Sequence, residues 1–185
     1  MEKQKQKIEK CQKFNNPVRC FLFMVRVVLG GTFESLHAGH SELLKEAFGI
    51  LKENGGGFVH IGLTSDEMAA SKNHTVADYA SREAELNSFI SKLLDQFSLP
   101  KDCYLITRLN DPFGPAVSGD YDYIVVSPET VPGAEKINEI RRGSGLPELT
   151  VRVVDFVLAE DTVPISTTRI YNGEIDREGH LQKKN

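Results

Sequence analysis

Two short segments of the chain hold residue types whose spacing suits the handling of phosphate. The first is Gly30-Gly31-Thr32-Phe33-Glu34-Ser35-Leu36-His37-Ala38-Gly39-His40. Two glycines after an apolar run let backbone N–H groups approach an anion closely. Thr32 adds a hydroxyl. His37 and His40 are three positions apart, so at a helix start they share a face. Gly39 leaves space between them. Amides, the positive end of the helix dipole and two imidazoles would then meet one anionic group. A zinc site lacks a third ligand nearby and the H-E-x-x-H spacing. The run is also not G-x-G-x-x-G, so a redox dinucleotide lacks its fingerprint. The second segment is Ile165-Ser166-Thr167-Thr168-Arg169-Ile170. Three successive hydroxyls suit a helix cap, which is its ordinary reading alone. With Arg169 in the first turn it also makes an anion cradle.

These segments need elements that bring them together. Val25–Leu29 reads as a buried strand ending at the first motif. Leu43, Leu44, Ala47, Phe48 and Leu51 then recur at helical spacing, and Gly55-Gly56-Gly57 stops that helix. Phe58–Leu63 is a second strand. Leu86, Phe89, Ile90, Leu93, Leu94 and Phe97 form the clearest amphipathic helix, closed by Pro100. Cys103–Leu109 and Tyr123–Val126 are strands three and four, with a turn-rich loop at Asn110–Asp120 between them. Ala134–Arg142 is helical, Thr150–Leu158 is a fifth strand, and a short helix starts at Ser166. Strands alternating with helices predict an α/β, Rossmann-like, doubly wound five-stranded parallel sheet with helices on both faces. Ligands of such folds sit beyond the carboxyl ends of the strands. Both motifs follow strands, so two anion sites share one edge, an arrangement that suits a triphosphate.

The 185 residues suit one domain, 40% apolar and 26% charged. A net charge of −4 offers no basic field for nucleic acid. Cys11, Cys20 and Cys103 are scattered, which speaks for reduced thiols and a cytoplasmic protein. Residues 1–22 read as a polar Lys-rich extension, 23–174 as the domain and 175–185 as a polar tail. The apolar run Cys20–Leu29 contains Arg26 and is too short to span a bilayer. It also leads directly into the first motif, so it is not read as a cleaved signal or a membrane anchor.

The two motifs together are the signature of the cytidylyltransferase-like nucleotidyltransferase superfamily. The chain resembles, more narrowly, the archaeal and eukaryotic branch of the phosphopantetheine adenylyltransferase family. Four stretches carry that: Gly30–His40, Asn110–Pro115, Ile124–Gly133 and Val154–Ile170, with fitting spacing from about Val25 to Arg169. The resemblance implies adenylyl transfer from ATP to 4′-phosphopantetheine, giving dephospho-coenzyme A and pyrophosphate. Mg²⁺ would assist, carried by ATP rather than by protein ligands. By the same match His40 stabilises charge on the α-phosphate, His37 supports it and Thr32 orients the incoming phosphate. ATP would be held by Gly30, Gly31, Thr32, Phe33, His37, Gly39, His40, Ser127, Glu129, Thr130, Ile165, Ser166, Thr167, Thr168 and Arg169. Lys72 lies where the family often places a lysine for the acceptor's phosphate.

Some positions depart from the family pattern. Glu34 replaces the commoner aspartate, and Ser127 stands where the bacterial branch carries an arginine that meets substrate phosphate. Arg108, at the end of the third strand, is a candidate substitute. The usual glutamates before the long helix become Ala80-Ser81-Arg82-Glu83. The family resemblance also implies a monomer and offers coenzyme A as a feedback ligand, with neither nucleic acid nor membrane as partner. Two rival readings stay open: transfer to another phosphorylated acceptor (nicotinamide or flavin mononucleotide, glycerol 3-phosphate), and a catalytically silent nucleotide-binding module.

Overall fold

The computed structural model describes residues 24–70 and 76–182. The Lys-rich stretch 1–22, Lys72 and residues 183–185 lie outside the described residues. Five strands, β1 (Val25–Gly31), β2 (Gly57–Thr64), β3 (Tyr104–Leu109), β4 (Tyr123–Val126) and β5 (Thr150–Val153), form one sheet in the order β3-β2-β1-β4-β5. Every pairing is parallel. This is the doubly wound α/β sheet that the alternation of elements predicts. Connections run through α1 (Ala38–Glu53), α2 (Asp66–Ala69), α3 (Tyr79–Phe97), α4 (Val131–Gly143) and, after β5, α5 (Thr167–Tyr171).

Neighbouring strand residues point to opposite faces, and both faces are covered. Val27 and Leu29 of β1 join Leu44 and Phe48 of α1 and Leu86 and Ile90 of α3 in one cluster. Val28 lies between them in sequence but packs on the other face with Ile124, Ala134 and Ile137. Helices on both faces explain why the central strand reads as an apolar run interrupted only by Arg26. The edge strands show their position instead: Leu105 of β3 and Val153 of β5 are about half exposed.

Two buried arginines tie backbone carbonyls of the connecting turns to the helices. Arg82 of α3 is 1% exposed. Its guanidinium donates to the carbonyls of Ala77 (2.8 Å), Thr32 (3.1 Å) and Thr64 (2.9 Å), and to the carboxylate of Asp66 (2.8 Å). Arg141 of α4 donates to the carbonyls of Ala116, Gly119 and Pro147, fixing the turn that precedes β4.

Several boundaries move. The fifth strand ends at Val153, not Leu158, because β4 has no further residues to pair. The last ladder bond runs from Val154 N to Val126 O. The chain then forms a small antiparallel turn in which Leu158 bridges Pro164. Ser166 is the cap of α5 rather than its first residue. Helix α4 begins at Val131, where Pro132 suits the first turn, and α3 at Tyr79, where the Asp78 side chain caps it, both earlier than their apolar periodicity shows. Residues 174–182 fold back as a second small hairpin, with Ile175 1% exposed beside Ala159 and Ile165. No helix among the described residues is long and apolar enough to cross a membrane.

Candidate active site

The first motif leaves β1 at its carboxyl end and enters α1 through a strained turn. Phe33 and Ser35 take positive φ values of 47° and 46°. Such backbone is costly for a bulky side chain and persists only where surrounding packing enforces it. Phe33 is 1% exposed, so the core holds it there. The turn delivers His37 to the N-cap of α1, where its Nδ1 accepts a hydrogen bond from Gly39 N at 3.1 Å. In the neutral ring that places the proton on Nε2, as a donor. Gly39 leaves room for the ring: a Cβ there would lie 3.0 Å from Cε1 of His37, so the imidazole would have to shift. The His37 and His40 rings stack with centroids 3.9 Å apart, and Phe33 backs His40 at 5.4 Å.

The second motif arrives opposite them. Both segments line one cavity of about 410 Å³, walled by His37, Gly39, His40 and Leu43, by Ser127 and Glu129, by Val154–Val157 and by Pro164–Thr168. The stretch that left the sheet after Val153 is therefore a wall of this cavity. Ser166 Oγ accepts from Arg169 N (3.4 Å), and Thr167 Oγ1 donates to the carbonyl of Glu34 (3.4 Å), tying one motif to the other. Ser127 and Thr130 cap each other at the end of β4.

A second cavity of about 340 Å³ adjoins it over the carboxyl ends of β1, β2 and β4. It is lined by Gly30 and Gly31, by apolar side chains including Met68, Leu109, Phe113, Ala116 and Ile137, and by Thr130. Glu129 lines both cavities. Leu109 sits against three glycines: a Cβ at Gly30, Gly62 or Gly114 would lie 3.1, 2.6 or 2.4 Å from its methyl carbons.

The residues singled out from sequence divide accordingly. His37, Gly39, His40, Ser127, Glu129, Ile165, Ser166, Thr167 and Thr168 meet at the polar cavity. Gly30, Gly31, Glu129 and Thr130 meet at the apolar one. Thr32 and Phe33 line neither; Thr32 is held by Arg82 through its carbonyl. Arg169 also lines neither. Its guanidinium bonds Asp161, Glu174 and the carbonyls of Val163 and Pro164. Arg108 points to the α3 face, 4.3 Å over the Tyr79 ring, while its neighbour Leu109 points to the apolar cavity. Alternation along β3 decides this, because adjacent residues cannot share a face. Lys72 falls outside the described residues. Among the described residues, the one cluster of three groups that could jointly ligate a metal is Asp176, Glu178 and His180, outside both cavities.

Sequence reasoning missed Arg82, which looks like a surface arginine on an amphipathic helix, and the 174–182 hairpin, whose composition is polar. The signal for Arg82 was its place on the same helical face as Leu86 and Ile90.

The arrangement offers imidazole and hydroxyl donors around a polar chamber, beside an apolar chamber that opens under the glycine turn. It can seat a phosphorylated nucleotide next to a second molecule with an apolar body. Comparison with known proteins agrees. The cytidylyltransferase-like family matches residues 28–173. A phosphopantetheine adenylyltransferase of Methanosarcina acetivorans is 51% identical over 161 residues, which is 87% of this chain and 98% of that one. Its counterpart in Methanothermobacter thermautotrophicus is 43% identical, covering 85% and 90%. Among solved structures, a protein of unknown function from Archaeoglobus fulgidus superposes with a TM-score of 0.60 at 33% identity, over 71% of this chain and 90% of that one.

Proposed function

The chain belongs to the cytidylyltransferase-like family, and we infer that within it this protein transfers an adenylyl group from ATP to 4′-phosphopantetheine, yielding dephospho-coenzyme A and pyrophosphate. The observation that carries this reading is the convergence of His37, His40 and the Ser166–Thr168 hydroxyls on one cavity that shares Glu129 with an apolar neighbour. The apolar chamber would take the pantetheine arm, and the polar chamber the nucleotide.

In this reaction a phosphate oxygen of the acceptor forms a bond to the α-phosphorus. The bond from that phosphorus to the bridging α–β oxygen breaks, and pyrophosphate carries away the electron pair. No covalent intermediate with the protein is required, so the residues work by positioning and by stabilising charge. His40 and the Nε2–H of His37 would meet the charge growing on the α-phosphate. Ser166, Thr167 and Thr168 would hold the β- and γ-phosphates, and Thr32 would orient the attacking phosphate. Arg169 serves this site by holding its wall, since four hydrogen bonds of its guanidinium go to Asp161, Glu174 and two carbonyls. The acceptor's own phosphate would be met by Lys72.

Mg²⁺ fits as a passenger on the triphosphate. The cavity offers imidazoles and hydroxyls but only scattered carboxylates, at Glu129 and Asp155. Mg²⁺ prefers oxygen ligands and commonly binds through substrate phosphates with few protein groups. Bound there, it would neutralise charge on the leaving pyrophosphate. A cytosolic monomer that coenzyme A feeds back upon completes the proposal. Sedimentation and coenzyme A inhibition would test those two parts.

The test of the reaction is pyrophosphate release from ATP, Mg²⁺ and 4′-phosphopantetheine. Release with this acceptor, and not with nicotinamide mononucleotide or glycerol 3-phosphate, is expected. Turnover only with another acceptor, or ATP binding without turnover, would overturn the reading.

A further inference from the structure

The hairpin of residues 174–182 is built like a clamp. Its arms are joined by Gln182 N to Glu174 O (2.9 Å) and by Asp176 N to His180 O (3.0 Å). Its turn is organised by Asp176, whose carboxylate accepts from the backbone N–H groups of Glu178 and His180 and meets the His180 ring at 2.8 Å. Several contacts then leave the hairpin, most of them toward the segments that carry the two motifs. Arg177 O accepts the N–H of Ala38 at 3.0 Å, inside the His37–His40 turn. Gly179 O accepts from Glu160 N (3.0 Å), and Glu160 Oε2 accepts from Leu181 N (2.9 Å), on the turn that leads to the second motif. Glu174 holds the Nε of Arg169 (3.2 Å). The Arg177 guanidinium pairs with Glu85 of α3.

The hairpin therefore touches both phosphate-holding motifs at their backbone. Gly179 is the tightest point. Its φ is +94°, and a Cβ there would lie 2.7 Å from Ile165 Cδ1 and 3.0 Å from Ala159 Cα. Ile165 directly precedes Ser166. From this we infer that the 174–182 hairpin is a positioning element for the nucleotide. It fixes the separation of the His37–His40 turn from the Ser166–Thr168 hydroxyls, with Gly179 as its critical residue and Arg169 as its anchor. It acts through the two motifs and touches no substrate.

The inference rests on the nucleotide occupying the polar cavity, as proposed above, and it has a signature that plain destabilisation lacks. The apolar cavity shares no residue with the hairpin or with the segment it grips. A loosened clamp must therefore weaken ATP binding selectively.

The experiment compares the full chain with Gly179→Ala and with a core variant, Ile90→Val or Ile90→Ala, whichever matches its fall in melting temperature. Ile90 is buried on the inner face of α3 and lines neither cavity. Steady-state kinetics give KM for each substrate, and calorimetry with Mg·ATP alone gives affinity without turnover. Gly179→Ala is expected to weaken ATP binding, and raise its KM, by about tenfold or more with the acceptor's KM unchanged, since small misplacements of preorganised groups carry costs of that size. The core variant is expected to leave both KM values in place. Arg177→Gln, which only breaks the pair with Glu85, is expected to shift ATP the same way by less, and it decides the matter if Gly179→Ala does not fold. Equal changes for both substrates, or none in ATP binding, would overturn the inference. A wild-type chain that binds Mg·ATP but releases no pyrophosphate would remove the proposed reaction and leave the binding comparison intact.

Discussion

Replacing Arg82 by methionine keeps the apolar stem of the side chain and removes every donor at its end. In the native protein that end satisfies three backbone carbonyls, of Ala77, Thr32 and Thr64, and reaches Asp66. The carboxylate of Asp66 is half exposed, so water replaces its lost partner. The three carbonyls lie around a guanidinium that is 1% exposed, and water cannot reach them there. At about 1 kcal/mol for each stranded acceptor, the low end of the usual range, the loss is about 3 kcal/mol. For a domain of this size that is roughly 6–12 °C of melting temperature, at about 2–4 °C per kcal/mol. Thr32 is released as well, so kcat should fall by about tenfold or more even at temperatures where the variant is folded. Arg82→Lys keeps a charge and some of the bonds and should fall between. Differential scanning calorimetry and pyrophosphate-release kinetics read the two effects. A drop of less than about 3 °C, with kcat unchanged, would refute the argument that Arg82 holds the turn after β1.

Other outcomes follow from the same geometry. His40→Ala should lose about 100- to 1000-fold in kcat with little change in melting temperature, as removal of one preorganised donor to developing charge does; full activity would contradict its role. Gly62→Ala puts a Cβ 2.6 Å from Leu109 Cδ1 and pushes that side chain into the apolar cavity. Its acceptor KM should therefore rise while ATP affinity holds, measured as above. The Asp176 hydrogen bond and charge raise the His180 pKa above 6.5, with Glu160 and Glu178 acting in the same direction. Stabilisation from a raised folded pKa is complete below the unfolded value and fades as pH climbs through the folded one. Amide exchange at Glu178 and His180 should therefore speed up, beyond its intrinsic base dependence, as pH rises above the ordinary imidazole range, and His180→Asn should abolish that excess.

The sheet was legible because parallel strands covered on both faces leave nearly continuous apolar runs, as Val25–Leu29 (apart from Arg26) and Tyr123–Val126 do. The fifth strand was read too long. Val154, Val157 and Leu158 look like strand continuation, but Val154 and Val157 are half-buried as cavity wall and Leu158 lies exposed in a local turn, which no periodicity separates from a ladder. The His37–His40 pair and the hydroxyl run were legible from type and spacing, since few packing needs produce them. Direction was not legible. Arg169 stands inside its motif yet turns to Asp161 and Glu174, and Arg108 stands one residue from a cavity-lining leucine yet points to the opposite face. The 174–182 hairpin was read as tail because its hold on the domain is made by backbone bonds and two buried residues, Ile175 and Gly179, which leave no pattern in composition.

The bond from Ala38 N to Arg177 O also sets an order of events during synthesis. β1 and β2 can pair soon after they leave the ribosome, whereas β1 must wait for β4, and the His37–His40 turn waits longer still. Contacts between residues so far apart in sequence form late. A growing chain can thus hold a nearly complete sheet before it holds a competent nucleotide chamber. Chains cut short after α5 would lack the hairpin's hold on both motifs, and nucleotide present during synthesis would favour those molecules that have closed the last turn.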